Sequence, residues 1–199
     1  ARPFAAPISE QEELDRVIPV IENLSKRIDV PISIDTVKSG VAREALNAGA
    51  AMINDISAFE KDPAMADLAA HRGVPVVLMH MKGTPETMQV NPDYDDLMLE
   101  ITTYLASRAA YALEKGIKKN NILLDPGIGF GKTIEHNLVL INHLEKITAL
   151  GYPVLLGPSR KSFIQNILTQ KEKTPIRADH IKTEYGSLAA VAASILNGA

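Results

Sequence analysis

Two carboxylates and an amide stand where short apolar runs stop. Ile32-Ser33-Ile34 ends in Asp35, Met52-Ile53 ends in Asn54-Asp55, and Ile122-Leu123-Leu124 ends in Asp125. Two further runs end in other ionisable groups: Val76-Val77-Leu78-Met79 in His80, and Val154-Leu155-Leu156-Gly157 in Ser159-Arg160-Lys161-Ser162. Taken singly, each is ambiguous. Asp35 serves equally well as a cap for the helix after Thr36, and Asn54-Asp55 equally well as a loop-forming pair. Gathered on one rim, two carboxylates and an amide offer acceptors to a planar heterocycle with several N–H donors. A carboxylate at a buried strand end is costly unless hydrogen-bonded, and such a ligand would supply the partners. The hydroxyls, cations and free N–H groups of a helix start at Ser159-Arg160-Lys161-Ser162 suit an anion.

Other chemistries are disfavoured. Gly131-Lys132-Thr133 closes a P-loop, but the position five before Gly131 is Pro126, so the phosphate-cradling spacing fails. The segment from Asp125 to Gly131 reads instead as a glycine-rich turn that lets backbone approach a neighbour or a ligand. His80 has no second ligand at metal-binding spacing and reads as a structural histidine. His136 and His143 read as residues of an exposed helix face. There is no Gly-x-Ser-x-Gly nucleophile elbow and no cysteine, hence no thiolate chemistry and no disulfide framework.

The elements that must position these residues follow from apolar spacing. Strands are expected at 30–35, 51–57, 74–80, 121–125 and 153–157. Helices are expected from Ser9 to about 26, then from Thr36 to Gly49, and over 63–73, 94–115, 136–150, 159–169 and 186–197. Gly49, Gly73, Gly116 and Gly151 are natural stops, and Pro19 should kink the first helix. Strands alternating with helices, never joined by a tight hairpin, predict a parallel sheet. Five such strands fit an open doubly wound sheet or part of a (β/α)8 barrel, which typically needs about 250 residues. No composition break divides the chain, so residues 1–199 read as one domain.

Composition sets outer bounds. With 46% hydrophobic and 23% charged residues and a net charge of −3, the chain has an ordinary globular balance. No basic excess points to nucleic acid or an anionic membrane. No apolar run approaches a membrane span, and no signal peptide is visible. A cytoplasmic location is expected.

Five segments, in this order, carry a resemblance: Ile-Ser-Ile-Asp35-Thr, Ile-Asn54-Asp55-Ile, Leu-Met-His80-Met-Lys-Gly-Thr-Pro, Leu-Asp125-Pro-Gly-Ile-Gly-Phe-Gly-Lys and Ser159-Arg-Lys-Ser-Phe. The chain resembles the dihydropteroate synthase family of pterin-binding enzymes. The resemblance implies an α/β fold, a (β/α)8 TIM barrel, represented here by about strands three to seven of eight. It implies condensation of 6-hydroxymethyl-7,8-dihydropterin diphosphate with p-aminobenzoate, with release of pyrophosphate through a pterin cation. Asp35, Asn54, Asp125 and Lys161 would hold the pterin, with Ile56, Met79 and Gly157 lining its pocket, and Asp35, Asp125 and Lys161 would be catalytic. Arg2, Pro3, Phe130, Lys161 and Ser162 would border p-aminobenzoate and pyrophosphate.

The same resemblance implies Mg2+, sulfonamide inhibition and a homodimer. The family's metal-binding Asn, in an Asn-Val-Thr-Pro-Asp segment, has no counterpart in these 199 residues, and neither does its Arg-Val-His-Asp motif. Phe4 stands where Gly usually follows Arg-Pro. A related pterin-binding methyltransferase domain serving a corrinoid protein, or a non-catalytic homologue, are the alternatives.

Overall fold

The computed structural model describes residues 8–84, 87–88 and 92–199. Helices and strands alternate: α1 (Glu10–Leu24), β1 (Ser33–Asp35), α2 (Ser39–Asn47), β2 (Met52–Asp55), α3 (Ala64–Arg72), β3 (Val76–Met79), α4 (Leu97–Glu114), β4 (Ile122–Asp125), α5 (Ile134–Asn142), α6 (Glu145–Thr148), α7 (Ser162–Glu172) and α8 (Ile181–Leu196). The strands pair parallel in the order β1-β2-β3-β4. Each strand lies beside its predecessor with no reversal of order. A doubly wound sheet requires such a reversal, so this is the winding of a (β/α)8 barrel, of which the chain forms an arc. The expected fifth strand is reduced to one parallel bridge, Leu124 to Val154. There Leu124 N–H donates to Pro153 O and Leu155 N–H to Leu124 O, both at 2.9 Å. Pro153 itself has no N–H to give, which helps keep the pairing short.

The two faces of the sheet differ as strand alternation requires. Ile34, Ile53, Val76, Leu78, Ile122 and Leu124 point into the main core, where Ala45, Met65, Ile101, Leu105, Leu140 and Leu144 of the helices meet them. Alternation then sends Asp35, Asn54, Val77, Leu123 and Asp125 to the opposite face. Register aligns Asp35 with Asn54, Asn54 with Val77 and Val77 with Leu123, while Met79 pairs with Asp125 one pleat further on. The polar strand ends are thus neighbours on the face away from the helices.

Several helix boundaries differ from expectation for identifiable reasons. Ser9 caps α1 by accepting from Glu12 N–H at 3.1 Å, and the helix runs on through Pro19 to Leu24. Thr36 does not cap α2: its hydroxyl donates to Glu13 Oε1 at 2.5 Å. Asp62, from the segment before α3, accepts from Ser39 N–H at 2.7 Å instead, so α2 starts later. Asp96 caps α4 through Leu99 N–H at 3.0 Å, which moves its start past Tyr94. The single helix expected over 136–150 breaks where His143 leaves helical geometry, at φ −114° and ψ 32°. Arg160 sits at φ 53°, which cannot continue into a helix, so α7 begins at Ser162. α8 begins at Ile181, ahead of Gly186, because His180 Nδ1 accepts from Lys182 N–H at 3.1 Å.

Candidate active site

The site begins with the β1–β2 pair. Asp35 is exposed at the end of β1, and its register partner Asn54 is half-buried. The side-chain oxygen Oδ1 of Asn54 is buried and has no hydrogen-bond partner among the described residues. Leaving a buried polar atom unpaired costs about 1–3 kcal/mol, so this oxygen calls for a donor that the described residues do not provide. Asp55, one residue on, faces the other way and is fully buried. It accepts from Ser57 N–H at 2.8 Å, Ser57 Oγ at 2.7 Å and Phe59 N–H at 3.0 Å. Burial pushes its carboxyl up while these three bonds pull it back. Asp55 therefore shapes the loop after β2, where Ala58 and Phe59 take positive φ values of 47° and 71°, and it does not join the rim.

An apolar floor lies beside the polar ends. Ile56, Met79, Met88 and Phe130 form a buried cluster separate from the main core, with Val37 and Met81 packed against it. Three of these, Ile56, Met79 and Phe130, are residues that the resemblance places around substrate. Asp125, only 7% exposed, stands next to Met79 in register and accepts from Gly127 N–H through Oδ1 at 2.7 Å. Burial pushes its carboxyl up to about 6, against the opposing pull of Gly127 N–H, Lys132 and Lys161.

The glycine-rich segment after Asp125 is held in place from several sides. A Cβ on Gly127 (φ 72°) would lie 1.9 Å from His80 O, and one on Gly131 (φ 63°) 2.5 Å from Lys82 O. Only glycine lets this loop lie against the exit of β3. Gly129 N–H donates to Asn137 Oδ1 at 2.7 Å, and Asn137 Nδ2 donates to Thr133 O at 2.6 Å. Tyr94 OH donates to Gly131 O at 2.7 Å. Lys132 turns its ammonium inward, donating to Phe130 O at 2.8 Å and lying 3.1 Å from His80 Nδ1.

His80, read in the sequence as a structural histidine, is buried. Burial and the Lys132 charge hold its imidazole down to about 3, and it meets Tyr104 edge-on at 5.0 Å. His136, expected on an exposed face, is half-buried. Its Nδ1 accepts from Thr133 N–H at 3.2 Å, and its ring meets Tyr94 at 5.0 Å. Asn137 and Tyr94 were not singled out in the sequence. Asn137 did carry a readable signal, since it is a polar residue on the buried side of a helix four residues after the cap Thr133.

Lys161 closes the site from the start of α7. Its stem crosses Gly129, where a Cβ would lie 3.1 Å from Lys161 Cδ. Its ammonium sits 4.2 Å from the centroid of the Phe130 ring, a cation–π seat. Burial lowers its pKa, while Asp125 and Asp35 pull it up. Ser162 is exposed as the first residue of α7, and Gly157 is exposed beyond the Val154 bridge. Arg160 does not converge on the rim. Its N–H donates to Ser187 Oγ at 2.8 Å, and its guanidinium stands 3.8 Å from Glu184 of α8. Arg2, Pro3 and Phe4 lie outside the described residues. No group of three His, Cys, Asp or Glu side chains that could hold a metal occurs among the described residues, and no helix among them is long and apolar enough to cross a membrane.

A barrel arc with carboxylates and an amide at its strand ends and a lysine at the start of α7, above an apolar floor, defines a β/α-barrel protein whose rim offers hydrogen-bond acceptors beside a flat apolar surface. Similarity to known proteins narrows this class. The chain belongs to the pterin-binding enzyme family, which matches it over residues 1–199. It is 47% identical over 171 residues to the dihydropteroate synthase of Synechocystis sp., covering 86% of this chain and 59% of that protein. It is 50% identical over 167 residues to the Bacillus subtilis dihydropteroate synthase, covering 84% of this chain and 56% of that one. The structure superposes on the Yersinia pestis dihydropteroate synthase bound to a sulfonamide drug with a TM-score of 0.92 at 43% identity, over 100% of this chain and 69% of the other. On the Xanthomonas albilineans enzyme in complex with 7,8-dihydropteroate the TM-score is 0.85 at 41% identity, over 96% of this chain and 67% of the other. The chain thus spans less than two thirds of the length of both curated relatives.

Proposed function

We propose that the chain provides the pterin-binding and arylamine-binding part of a dihydropteroate synthase. The observation that carries this reading is the buried, unpartnered Oδ1 of Asn54, in register with Asp35 and on the same face as Asp125. A pterin offers ring and exocyclic N–H groups to these oxygens and lays its flat face on Ile56 and Met79, while Lys161 donates to its carbonyl or ring nitrogen. The relatives named above are dihydropteroate synthases, and one is bound to 7,8-dihydropteroate.

The chemistry proposed needs no protein nucleophile. The C–O bond between the pterin methylene and the diphosphate breaks, and pyrophosphate leaves with the bonding pair. The carboxylates of Asp35 and Asp125 stabilise the resulting pterin cation electrostatically. The amine lone pair of p-aminobenzoate forms the new C–N bond, and the displaced N–H proton passes to solvent. Phe130, Lys161 and Ser162, with Arg2 and Pro3, border the arylamine. The Yersinia pestis relative binds a sulfonamide drug, and sulfonamides would compete with the arylamine at these residues. The described residues gather no set of three acidic, His or Cys side chains that could hold a metal. When bound, Mg2+ would help neutralise the charge of the pyrophosphate leaving group. A homodimer is proposed through α8, whose Tyr185, Leu188 and Ile195 are 63%, 60% and 62% exposed.

The test is conversion of pterin diphosphate and p-aminobenzoate to dihydropteroate by the full-length protein, with Asn54→Ala alongside. Turnover that collapses in the variant supports the reading. Turnover absent from the wild type, or unaffected by Asn54→Ala, overturns it.

A further inference from the structure

Lys132 is a buried cation that the chemistry above does not use. The sequence around it fails the P-loop spacing at Pro126, and the structure gives its ammonium a setting inside the protein. The residue is 4% exposed, and one ammonium proton goes to Phe130 O at 2.8 Å. A second faces His80 Nδ1 at 3.1 Å, with His80 O farther off at 3.5 Å. An ammonium committed to these groups inside the protein has no face for a phosphate.

What it does touch is the framework of Asp125. Its Nζ lies beneath Gly127, 3.4 Å from where a Cβ would stand, and Gly127 N–H is the donor to Asp125 Oδ1. The other anchor of Lys132, His80, donates its own N–H to Asp125 O at 2.9 Å. The carbonyl that Lys132 holds belongs to Phe130, whose ring seats Lys161. One buried ammonium thus fixes both sides of the pterin-binding rim without reaching it.

We propose that Lys132 is a positioning residue for pterin recognition, pinning the glycine loop from below and supplying the buried positive charge that keeps Asp125 an ionised acceptor. The proposal rests on the pterin reading. The titratable groups facing this locus are Asp125 from β4, His80 and Lys82 from the segment leaving β3, Lys161 from the start of α7 and His136 from α5, the two imidazoles being held neutral by burial and neighbouring lysines. Burial pushes the Lys132 ammonium down to about 7, with Asp125 pulling it back up, so below about pH 7 Lys132 is charged and draws the Asp125 carboxyl down against burial. Removing Lys132 leaves Lys161, at the rim, as the cation acting on Asp125.

The test measures the affinity of 7,8-dihydropteroate for the full-length protein from pH 5 to 8.5 (about 25 °C), in wild type, Lys132→Gln and Lys132→Met. Met keeps the length and apolar volume of the stem, a kind of replacement that folds often tolerate for a buried charge. Loss of a neighbouring opposite charge raises a carboxyl pKa by about one unit. The midpoint of the affinity profile therefore moves upward by about one pH unit in both variants. At pH 6 the affinity for dihydropteroate falls about fivefold beyond any pH-independent loss, and at pH 8.5, where Asp125 is ionised in all three proteins, only the loss from the unpinned loop remains. A loop-pinning role alone would weaken binding equally at every pH. An unshifted midpoint in folded variants overturns the proposal, as does failure of both variants to fold, which would assign Lys132 to the fold alone. Wild-type protein that binds no dihydropteroate at any pH would instead overturn the pterin reading itself.

Discussion

At the scale of single residues, Asp125 trades stability for an acceptor. Its folded-state carboxyl is raised from 3.8 to about 6 by burial, so the ionised form is the disfavoured one in the fold. The penalty is absent below about pH 4, where folded and unfolded states are both protonated, and grows to its full size above pH 6. Asp125→Asn keeps an oxygen for Gly127 N–H and removes the charge. The ligand-free variant is expected to be more stable than wild type at pH 7.5 by about 1–3 kcal/mol, read as a shift in urea midpoint, and to lose that advantage at pH 4. The same variant should bind dihydropteroate more weakly by calorimetry. A stability difference independent of pH would contradict the burial argument. Asp35 and Asp125 were legible in the sequence because a carboxylate ending an apolar run is conspicuous. Asp55 was equally conspicuous and faces the helices instead, since strand alternation separates it from Asn54. Separating the two needed the register as well as the run.

At the scale of elements, the segment from Gly127 to Gly131 positions the site through contacts that sequence spacing hides. Its carbonyls and amides are held by Tyr94, 37 residues away, and Asn137, from the next helix. Neither partner sits within a motif. Asn137→Leu removes the acceptor of a buried N–H and is expected to destabilise the protein by about 1–3 kcal/mol, measured by denaturant unfolding. Gly127→Ala should cost more, because the new Cβ would meet backbone rather than a flexible side chain. Phe130→Leu keeps the apolar floor and removes the aromatic seat of Lys161. A loss of about 0.5–2 kcal/mol in arylamine or pterin affinity is expected, with little change in unfolding midpoint. The alternation of strands and helices was readable because apolar period reports it directly. Helix starts were not, since Asp62, Asp96 and His180 cap helices through contacts that local pattern does not rank above their competitors. The last strand was over-read. Val154-Leu155-Leu156 is apolar enough for a strand, yet pairing shrinks to one bridge.

At the scale of the whole molecule, sequential parallel winding separates a barrel arc from a doubly wound sheet, a choice composition and period left open. The arc gathers Asp35, Asn54 and Asp125 on the face opposite the helices, with Lys161 reaching it from α7, and leaves an exposed apolar stripe on α8, the face proposed for a second copy. Leu188→Glu on that stripe should shift the full-length protein from dimer to monomer in sedimentation velocity while leaving pterin affinity unchanged. A wild type that sediments as a monomer contradicts the dimer. The central claim is that the strand-end acceptors form a pterin site. Its most direct test is calorimetric titration of 7,8-dihydropteroate into the full-length wild type and Asp125→Ala at pH 7.5. The account predicts binding by the wild type and loss of it in the variant, with the fold intact by circular dichroism. Equal affinity in the two proteins would contradict it.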